Sequence, residues 1–283
     1  MKVLVTGATG FIGNYVIAGL LKNNHLVIAT SLDAEKAKEF SWFNKVKYRA
    51  LDLSTIKEDL DYFQYFDSPD FVIHLAWEGL PNYQSLFHIE ENLFRHYTFL
   101  KNLVVNGAKD ITVTGTCLEY GLQEGKLNEE TVTAPVNSYA VAKDSLRKFL
   151  EQLQKQHPFD LKWARLFYMY GKGQNANSIL SQLQKALKRA DSGFKMSKGD
   201  QQRDYLPVET VAEYIVKIAL QKNISGAINC CSGIPITIGG LVETFLKDKN
   251  QSIKLVKGYY PYPQYEPLHF WGDNAKLQKI LGK

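Results

Sequence analysis

Short apolar, β-prone runs alternate with helical runs along the first two-thirds of the chain. The strand-like runs are KVLVTG, HLVIATS, VKYRALDL, FVIHLAW and DITVTGT, and helical runs such as NYVIAGLLKNN lie between them. Strands with nearly continuous apolar residues are typical of parallel sheets that helices cover on both faces. The pattern therefore predicts an α/β fold built on a doubly wound parallel sheet of about seven strands.

The strict alternation weakens after Gly171. The runs NSILSQLQKALKRA and GYYPYPQYEPLHFWGD lie outside it but are too apolar to be disordered. We expect them to form a smaller, discontinuous substrate-binding lobe from residues 168–204 and 231–283. Residues 1–167 and 205–230 would then form the dinucleotide-binding domain.

Three glycines follow the first strand. Gly7 suits a tight turn, Gly10 lets backbone approach a pyrophosphate, and Gly13 allows close contact between helix and sheet. Their spacing is one residue longer in the first gap than the common dinucleotide fingerprint. The helix that follows would point its first amides at the phosphates. We therefore predict a Rossmann-type nicotinamide dinucleotide site whose loop contributes Gly7, Thr9, Gly10, Phe11, Ile12 and Gly13.

The end of the second strand bears on which dinucleotide binds. An acidic residue there would bind the ribose hydroxyls of NAD, but this chain has Thr30 or Ser31, with lysines nearby. We expect Ser31 to contact the cofactor and favour NADP(H) over NAD(H). Asp33 lies slightly late and leaves NAD(H) open, because its carboxylate could still reach a ribose.

The third strand is followed by Asp52 and Leu53. Both are expected to border the adenine of the cofactor. The alternative for Asp52 is a turn or helix-capping role.

A tyrosine and a lysine four residues apart, Tyr139 and Lys143, share one face of a predicted helix. A nearby ammonium stabilises a phenolate and would bring the tyrosine's pKa toward neutrality. Thr114, Thr116 and Cys117 end a strand at the edge where such sheets bind ligands. A hydroxyl there can hydrogen-bond a substrate oxygen.

Several motifs resemble the extended short-chain dehydrogenase/reductase family, in its sugar-nucleotide epimerase/dehydratase branch. They are TGATGFIG, LDL, VIHLAW, ENLFRHYTFL, TGTCLEYG, YAVAK, ARLFYMYGKGQ and RDYLPVETVAE, and together they span nearly the whole chain. The resemblance implies that Tyr139 exchanges a proton with a sugar hydroxyl or ketone. It also implies that Lys143 holds the nicotinamide ribose and that Thr116 bonds the same sugar oxygen.

The resemblance implies further contacts. For the cofactor they are Leu75, Ala76, Trp77, Asn92, Tyr139 and Lys143. For a nucleotide-diphosphate sugar they are Thr116, Cys117, Tyr168, Asn177, Arg203 and Tyr260, with Arg203 at the diphosphate. This chain departs from the family at Tyr168, where asparagine is frequent, and at Trp77, where a small residue is usual and core packing is the alternative.

The residues after Thr116 narrow the reaction. Family dehydratases need an acidic pair there, whereas this chain has Cys117 and Leu118, with Glu119 one place too late on an expected extended segment pointing away. Family decarboxylases are disfavoured by the same cysteine. Cys117 could serve as an extra acid or base in an isomerase, but a small buried apolar role is favoured.

A 4-ketoreductase and a 4-epimerase remain. Three features favour a reductase: the missing acid at the end of the second strand, the short chain, and the sequences GTCLEYG and YYPYPQYEPLHFWGD. They resemble bacterial reductases that act on nucleotide-linked 4-keto-6-deoxyhexoses, which implies a role in deoxysugar synthesis for surface polysaccharide such as O-antigen. An NAD-dependent nucleotide-sugar 4-epimerase is the alternative. A non-catalytic NADP-binding regulator is the second, disfavoured because such proteins typically lose the tyrosine or lysine.

Composition limits the partners. The chain has 283 residues, scattered lysines and a formal net charge of +5, so we expect no nucleic acid. No apolar run reaches the roughly 18 residues of a membrane span. Because the first predicted strand begins at residue 2, we expect no signal peptide. Three cysteines give no disulfide framework or metal spacing, so we expect a cytoplasmic protein without a metal. The apolar helices SLFHIEENLFRHYTFLKNLV and SYAVAKDSLRKFLEQLQ suggest a homodimer, because relatives often pair them as a four-helix bundle.

Overall fold

The computed structural model describes residues 1–262 and 265–282. In these ranges the chain forms nine α-helices. They are α1 (Phe11–Lys22), α2 (Ala34–Lys38), α3 (Tyr62–Tyr65), α4 (Leu93–Val105), α5 (Ser138–Gln156), α6 (Ile179–Lys188), α7 (Val208–Leu220), α8 (Ile238–Asp248) and α9 (Ala275–Leu281).

The strands alternate with these helices. They are β1 (Lys2–Thr6), β2 (Leu26–Thr30), β3 (Lys47–Tyr48), β4 (Phe71–His74), β5 (Asp110–Thr116), β6 (Gly125–Leu127), β7 (Asp160–Leu166), β8 (Tyr168–Tyr170), β9 (Phe194–Lys195), β10 (Gln202–Pro207), β11 (Gly226–Cys230), β12 (Pro235–Thr237), β13 (Leu255–Val256) and β14 (Phe270–Gly272).

Seven strands form one parallel sheet in the order β3-β2-β1-β4-β5-β7-β11. Side chains of β1 alternate between its two faces. Val3 and Val5 pack with α1 and α7, whereas Leu4 packs with α4 and α5. Helices therefore cover both faces, and the predicted doubly wound parallel sheet is confirmed.

A separate apolar cluster lies outside the large sheet. It joins α6 and α8 through Leu183 and Val242, and Phe194 and Met196 belong to it as well. Three smaller sheets, β12-β10-β8, β13-β9 and β14-β6, accompany it. These elements come from the two ranges assigned to the substrate lobe, apart from β6 and part of β10. They support the proposed division into two domains, which stays a prediction.

Two buried histidines connect β4 to α4. Thr6 Oγ1 accepts hydrogen bonds from two backbone amides, so its proton is free to bond His74 Nδ1 at 2.9 Å. His74 Nε2 then donates to His96 Nδ1 at 2.8 Å. Burial, reinforced by Lys143, lowers the pKa of His74 to about 3 and holds the pKa of His96 well below its usual range. Both rings are therefore neutral near pH 7.

Two glycines of α1 should respond oppositely to a methyl group. A Cβ on Gly13 would lie 2.3 Å from Gly7 O, whereas one on Gly19 would approach nothing closer than Val216 Cγ2 at 3.7 Å. We expect Gly13→Ala to destabilise the fold by about 2 kcal/mol or more, because backbone must shift. Gly19→Ala should stabilise it by about 0.5–1 kcal/mol, because alanine favours a helix interior. Denaturant unfolding measures both, and equal effects would contradict the close approach of α1 to the loop.

The histidine pair predicts acid sensitivity. Below about pH 6.5 the unfolded chain binds protons at these rings, whereas the folded chain keeps His74 neutral down to about pH 3. The free energy of unfolding should therefore fall as pH drops below 6.5, by about 1.4 kcal/mol per pH unit for each histidine. His96→Gln, which retains an acceptor for His74, should reduce that slope by one histidine's share.

Phe99→Leu is the matched control for lost packing, because the Phe99 ring lies 5.8 Å from the His74 ring and does not titrate. It should lower the free energy of unfolding equally across the pH range. An unchanged slope in His96→Gln would show that the pair does not resist protonation.

Candidate active site

The glycine loop after β1 forms a tight cradle at the carboxyl edge of the sheet. Gly7 has a φ of +66°, and a Cβ there would lie 2.8 Å from Ala76 N. Gly10 is the N-cap residue of α1 and has no side chain, so no capping side chain occupies the first backbone amides of the helix. Thr6 Oγ1 ties the loop to the Leu75 and Ala76 amides at 3.2 and 3.3 Å. This cradle fits the pyrophosphate of a dinucleotide.

The residues expected near the adenosine end have partners within the chain. Ser31 Oγ lies 2.9 Å from the hydroxyl of Tyr48. Asp33 caps α2, accepting from Glu35 N at 2.9 Å and Lys36 N at 3.1 Å. Ser31 and Asp33 both follow β2, at the edge where the glycine loop lies.

Asp52 caps a short 3-10 turn at Leu53–Thr55, accepting from Ser54 N at 2.8 Å. Hydrogen bonding to Ser54 lowers the pKa of this carboxyl. The capping role that was the alternative for Asp52 is thus present. A contact between Asp52 or Leu53 and the adenine stays a prediction.

Asn92 supports the segment that follows β4. It ends a π-helical turn, His88–Asn92, that runs directly into α4. Asn92 Nδ2 donates to Glu78 O at 2.9 Å, whereas its Oδ1 is buried without a hydrogen-bond partner among residues 1–262 and 265–282. A contact between Asn92 and the cofactor stays a prediction.

Tyr139 and Lys143 lie in the first two turns of α5, where Asn137 caps the helix by accepting from Ala140 N. Tyr139 N also donates to Tyr83 O at 3.0 Å, which ties the start of α5 to the loop before the π-helical turn. Thr116 ends β5. Both Thr116 and Tyr139 line the same cleft, so the structure brings two of the predicted catalytic residues together.

Burial dominates the protonation of both helical residues. It raises the pKa of Tyr139, with contributions from Tyr83 and Glu119, while the Thr116 hydroxyl opposes the rise by hydrogen bonding. Burial lowers the pKa of Lys143 to about 7, and Glu119 opposes that change. Burial therefore sets the direction of the change in the tyrosine's pKa, opposite to the lowering expected from the lysine. Tyr139 is therefore held as the neutral phenol, the form that donates a proton.

Glu119 corrects the sequence interpretation. Residues Cys117–Tyr120 form a 3-10 turn rather than an extended segment, and the turn brings the Glu119 side chain inward. Its carboxylate accepts from Thr116 N at 2.8 Å, from Trp163 Nε1 at 2.9 Å and from Arg165 Nε at 2.8 Å. Neither charged side chain of the Glu119–Arg165 pair is more than 1% exposed. A carboxylate so fully bonded is structural, which agrees with excluding it as an acid or base.

Cys117 is buried, and that burial raises the pKa of its thiol. A thiol held neutral is a poor base, which supports the small apolar role over acid–base chemistry. Leu118 packs with Tyr139 and Ala140.

Two connected cavities lead away from the catalytic pair. The inner one has a volume of about 340 Å³ and includes Phe11, Ile12, Thr116, Cys117 and Tyr139 in its lining. The outer one, of about 510 Å³, is lined mainly by residues of the two ranges assigned to the substrate lobe, 168–204 and 231–283. Both contain Tyr83, Tyr168, Met169, Gln174 and Glu266 in their walls.

The predicted substrate residues are distributed unevenly along this cleft. Tyr168 lines both cavities, whereas Asn177 and Tyr260 line the outer one. Arg203 lies in the wall behind, with a side chain 2% exposed, and its Nη2 donates to Glu266 Oε2 at 2.9 Å. Its Nη1 donates to two backbone carbonyls. The predicted diphosphate arginine is therefore paired with a carboxylate of the chain itself.

Sequence reasoning missed Tyr83 and Glu266. Tyr83 packs on Tyr139 with ring centroids 5.6 Å apart, and burial with the nearby Glu266 raises the pKa of Tyr83 to about 12. Both residues lie in aromatic, proline-containing stretches, LPNYQS and YPQYEP, without helical or strand periodicity. The density of aromatic residues in these stretches was the only signal available for Tyr83. No sequence pattern indicated Glu266.

In the part of the chain that the structure describes, no three His, Cys, Asp or Glu side chains are grouped to hold a metal ion. Within the same part, no helix combines the length and the apolar character that crossing a membrane requires.

Curated proteins have sequences similar to this one. A dTDP-6-deoxy-L-talose 4-dehydrogenase (NAD(+)) from Aggregatibacter actinomycetemcomitans is 30% identical over 273 residues, 96% of this chain and 99% of the relative. A GDP-6-deoxy-D-talose 4-dehydrogenase from the same organism is 25% identical, covering 100% of this chain and 92% of the relative.

Solved structures agree on the fold. A UDP-N-acetylglucosamine 4-epimerase from Methanobrevibacter ruminantium M1, in complex with UDP-N-acetylmuramic acid, superposes with a TM-score of 0.85 at 23% identity, covering 99% of this chain and 91% of that one. A UDP-glucuronic acid 4-epimerase from Bacillus cereus, in complex with UDP-glucuronic acid and NAD, gives 0.83 at 22% identity, with 100% and 93% covered. Residues 3–231 match a family described as NAD dependent epimerase/dehydratase. The chain therefore belongs to the NAD dependent epimerase/dehydratase family.

Proposed function

We propose that this protein is an NAD(P)H-dependent reductase that converts the 4-ketone of a nucleotide-diphosphate 4-keto-6-deoxyhexose into a 4-hydroxyl. The observation that carries the proposal is the inner cavity, where the hydroxyls of Thr116 and Tyr139 converge beside the glycine loop. The neighbouring candidates for further acid–base chemistry are a neutral buried Cys117, Leu118 and the fully bonded Glu119. Such a site supports one proton transfer coupled to one hydride transfer.

The mechanism rests on few groups. A bound nicotinamide dinucleotide supplies the hydride that adds to C4. Tyr139, held protonated by burial, donates its phenolic proton to the forming alkoxide. Thr116 hydrogen-bonds the same oxygen and stabilises charge that develops in the transition state. Lys143 binds the nicotinamide ribose and helps to replace the tyrosine's proton.

The substrate class is supported by the cleft and by the relatives. The inner cavity suits a sugar, and the outer cavity continues from it toward Asn177 and Tyr260, where a nucleotide would extend. The two Aggregatibacter relatives carry names of 4-dehydrogenases for 6-deoxytalose nucleotides. Their named activity and our proposed reduction are the two directions of one ketone–alcohol couple. The proposed product is a 6-deoxyhexose nucleotide of the kind that surface-polysaccharide synthesis consumes.

The 4-epimerase remains a second candidate, favoured by solved epimerases that superpose over the whole fold. An epimerase returns its hydride to the sugar, whereas a reductase consumes one reduced cofactor for each product. Following absorbance of the reduced nicotinamide with a 4-keto-6-deoxy sugar nucleotide separates the two. Absence of any oxidation with a panel of keto sugars would favour the non-catalytic NADP-binding regulator.

The preference for NADP(H) over NAD(H) stays a prediction. Asp33 is engaged in capping α2, which agrees with a ribose pocket lacking a free acid, whereas Lys38 pairs with Glu35 at 2.6 Å. The name of the relative with 30% identity includes NAD(+). Turnover measured in parallel with NADPH and NADH decides between them.

The homodimer and the cytoplasmic location also stay predictions. Apolar side chains are exposed on or beside the two helices expected to pair, including Phe94 and Val105 of α4 and Phe149 of α5. They support the proposed helix-to-helix pairing. The mass of the protein in solution tests it.

The catalytic assignment predicts graded losses. Tyr139→Phe removes the proton donor and keeps the ring, so kcat should fall by about 10²–10⁴-fold. Thr116→Val should cost about 10–10³-fold, because one hydrogen bond is lost while the acid remains. Cofactor affinity should barely change in either variant, whereas Lys143→Met should weaken both binding and turnover.

Tyr97→Phe is the matched control, since Tyr97 lies on α4 with its ring against Phe149 and outside the cleft. It should keep wild-type turnover in the same absorbance assay. Near-normal turnover by Tyr139→Phe with substrate bound would overturn the proposed mechanism.

The Arg203–Glu266 pair predicts an effect on substrate affinity. Glu266 lines both cavities and occupies the guanidinium that a diphosphate would use. Glu266→Gln removes a like charge from the path of the diphosphate and loosens the hold on Arg203. We expect KM for the sugar nucleotide to fall by about fivefold, equivalent to about 1 kcal/mol, with kcat unchanged.

Glu243→Gln provides the control, because Glu243 pairs with Lys257 on an exposed surface. Its KM should match wild type. A higher KM in Glu266→Gln would instead mean that the carboxylate binds the sugar hydroxyls.

A further inference from the structure

Trp77 touches both predicted catalytic residues of α5. Lys143 Nζ lies 4.3 Å from the centroid of the indole, within the range of a cation–π interaction. The Tyr139 ring meets the same indole edge-on, with centroids 6.0 Å apart at 70°. Trp77 is partly buried and packs against the apolar clusters of Leu4 and of Leu118. The core packing that was the alternative for this residue is therefore present, and the contacts with Lys143 and Tyr139 are made in addition to it.

A hydrogen-bond chain fixes the plane of the indole. Trp77 Nε1 donates to His88 Nδ1 at 3.1 Å, so this nitrogen carries no proton. His88 Nε2 must then hold the proton, and it donates to Asn82 O at 2.9 Å. The His96 ring stacks on Trp77, with centroids 4.6 Å apart and planes 17° apart. The indole is thus held by one directional hydrogen bond and one parallel ring.

We propose that Trp77 is a positioning residue that holds the Lys143 ammonium against its π face, and that His88 fixes the indole in the orientation this requires. The inference rests on the proposed function in one respect only, namely that turnover requires Lys143 to be charged. The contact itself is independent of the reaction.

The surroundings of Lys143 show why such a contact matters. The side chain is buried, and burial lowers its pKa to about 7. Glu119 after β5 favours the charged form. The remaining titratable groups that face it are Tyr139 on α5, His74 on β4, His88 in the π-helical turn and His96 on α4. These four side chains are themselves neutral near pH 7, so none of them brings a negative charge close to the Lys143 ammonium. Trp163 lies farther away, with its ring centroid 5.5 Å from Lys143 Nζ, against 4.3 Å for Trp77. The desolvated contact with Trp77, worth more than an exposed one, therefore stabilises the charge where carboxylates are scarce.

The sharpest test is a direct titration of Lys143 in the protein without substrate or cofactor. Lysine labelled with ¹³C at Cε reports its protonation by NMR, and Lys143→Met identifies the signal. Trp77→Leu should lower the pKa of Lys143 by about one unit, because the π face is lost. Trp77→Phe, which keeps a weaker π face, should lower it less.

Two His88 variants test the orientation of the indole. His88→Leu removes the acceptor for Trp77 Nε1 and should also lower the pKa of Lys143. His88→Asn offers an amide oxygen in its place, so it should lower the pKa of Lys143 less than His88→Leu does. Trp42→Phe is the matched control, since Trp42 bonds to Asn14 and stacks on Phe40 away from α5, and it should leave the Lys143 signal unchanged.

The reaction supplies a second readout. The basic limb of kcat/KM should move to lower pH in Trp77→Leu and Trp77→Phe by the shift seen in the titration. An unchanged pKa of Lys143 in Trp77→Leu would overturn the proposal. If Trp77→Leu fails to fold, an unchanged pKa in both Trp77→Phe and His88→Leu would overturn it. Absence of turnover in wild type would refute the proposed function while leaving the titration as the test of this inference.

Discussion

The arrangement of the site depends on one buried ion pair. Glu119 and Arg165 are almost fully removed from water, a costly state unless every polar atom is bonded. The carboxylate meets that condition through the Thr116 amide, the Trp163 indole and the arginine. Gly115 makes room for it, because a Cβ there would lie 2.0 Å from Trp163 Nε1. The pair therefore fixes the turn at the end of β5, and with it the hydroxyl of Thr116.

The same carboxylate acts at a distance on the helix opposite. It favours the charged form of Lys143 and raises the pKa of Tyr139, so it holds both groups in the states that proton donation requires. Trp77 reaches the lysine from another side. One anionic group and two indole faces, those of Trp77 and Trp163, thus stabilise a cation in a site without water, where burial alone favours the neutral amine.

Local periodicity explains how much the sequence could predict. The parallel sheet follows from nearly continuous apolar runs that alternate with helical ones. The glycine loop and the shared face of Tyr139 and Lys143 follow from spacings of three and four residues along one segment. Glu119 was misjudged because a 3-10 turn, closed by partners on β7, replaces the expected extended chain. The Arg203–Glu266 pair joins residues 63 apart, and no local pattern encodes a contact of that kind. The positions of Glu119 and Glu266 therefore depend on contacts between distant segments, which short motifs do not encode.

The hydrogen bond from Tyr139 N to Tyr83 O gives the site an evolutionary constraint. Ser138 Oγ adds a second link to the same loop, at Gln84 O. Tyr83 lines both cavities, so the loop that shapes the room for a ligand also anchors the first turn of the helix bearing the proton donor. A change in this loop alters the choice of ligand and the placement of the phenol together. Descendants of this chain can therefore acquire new ligands through α6 or the tail more freely than through the loop around Tyr83.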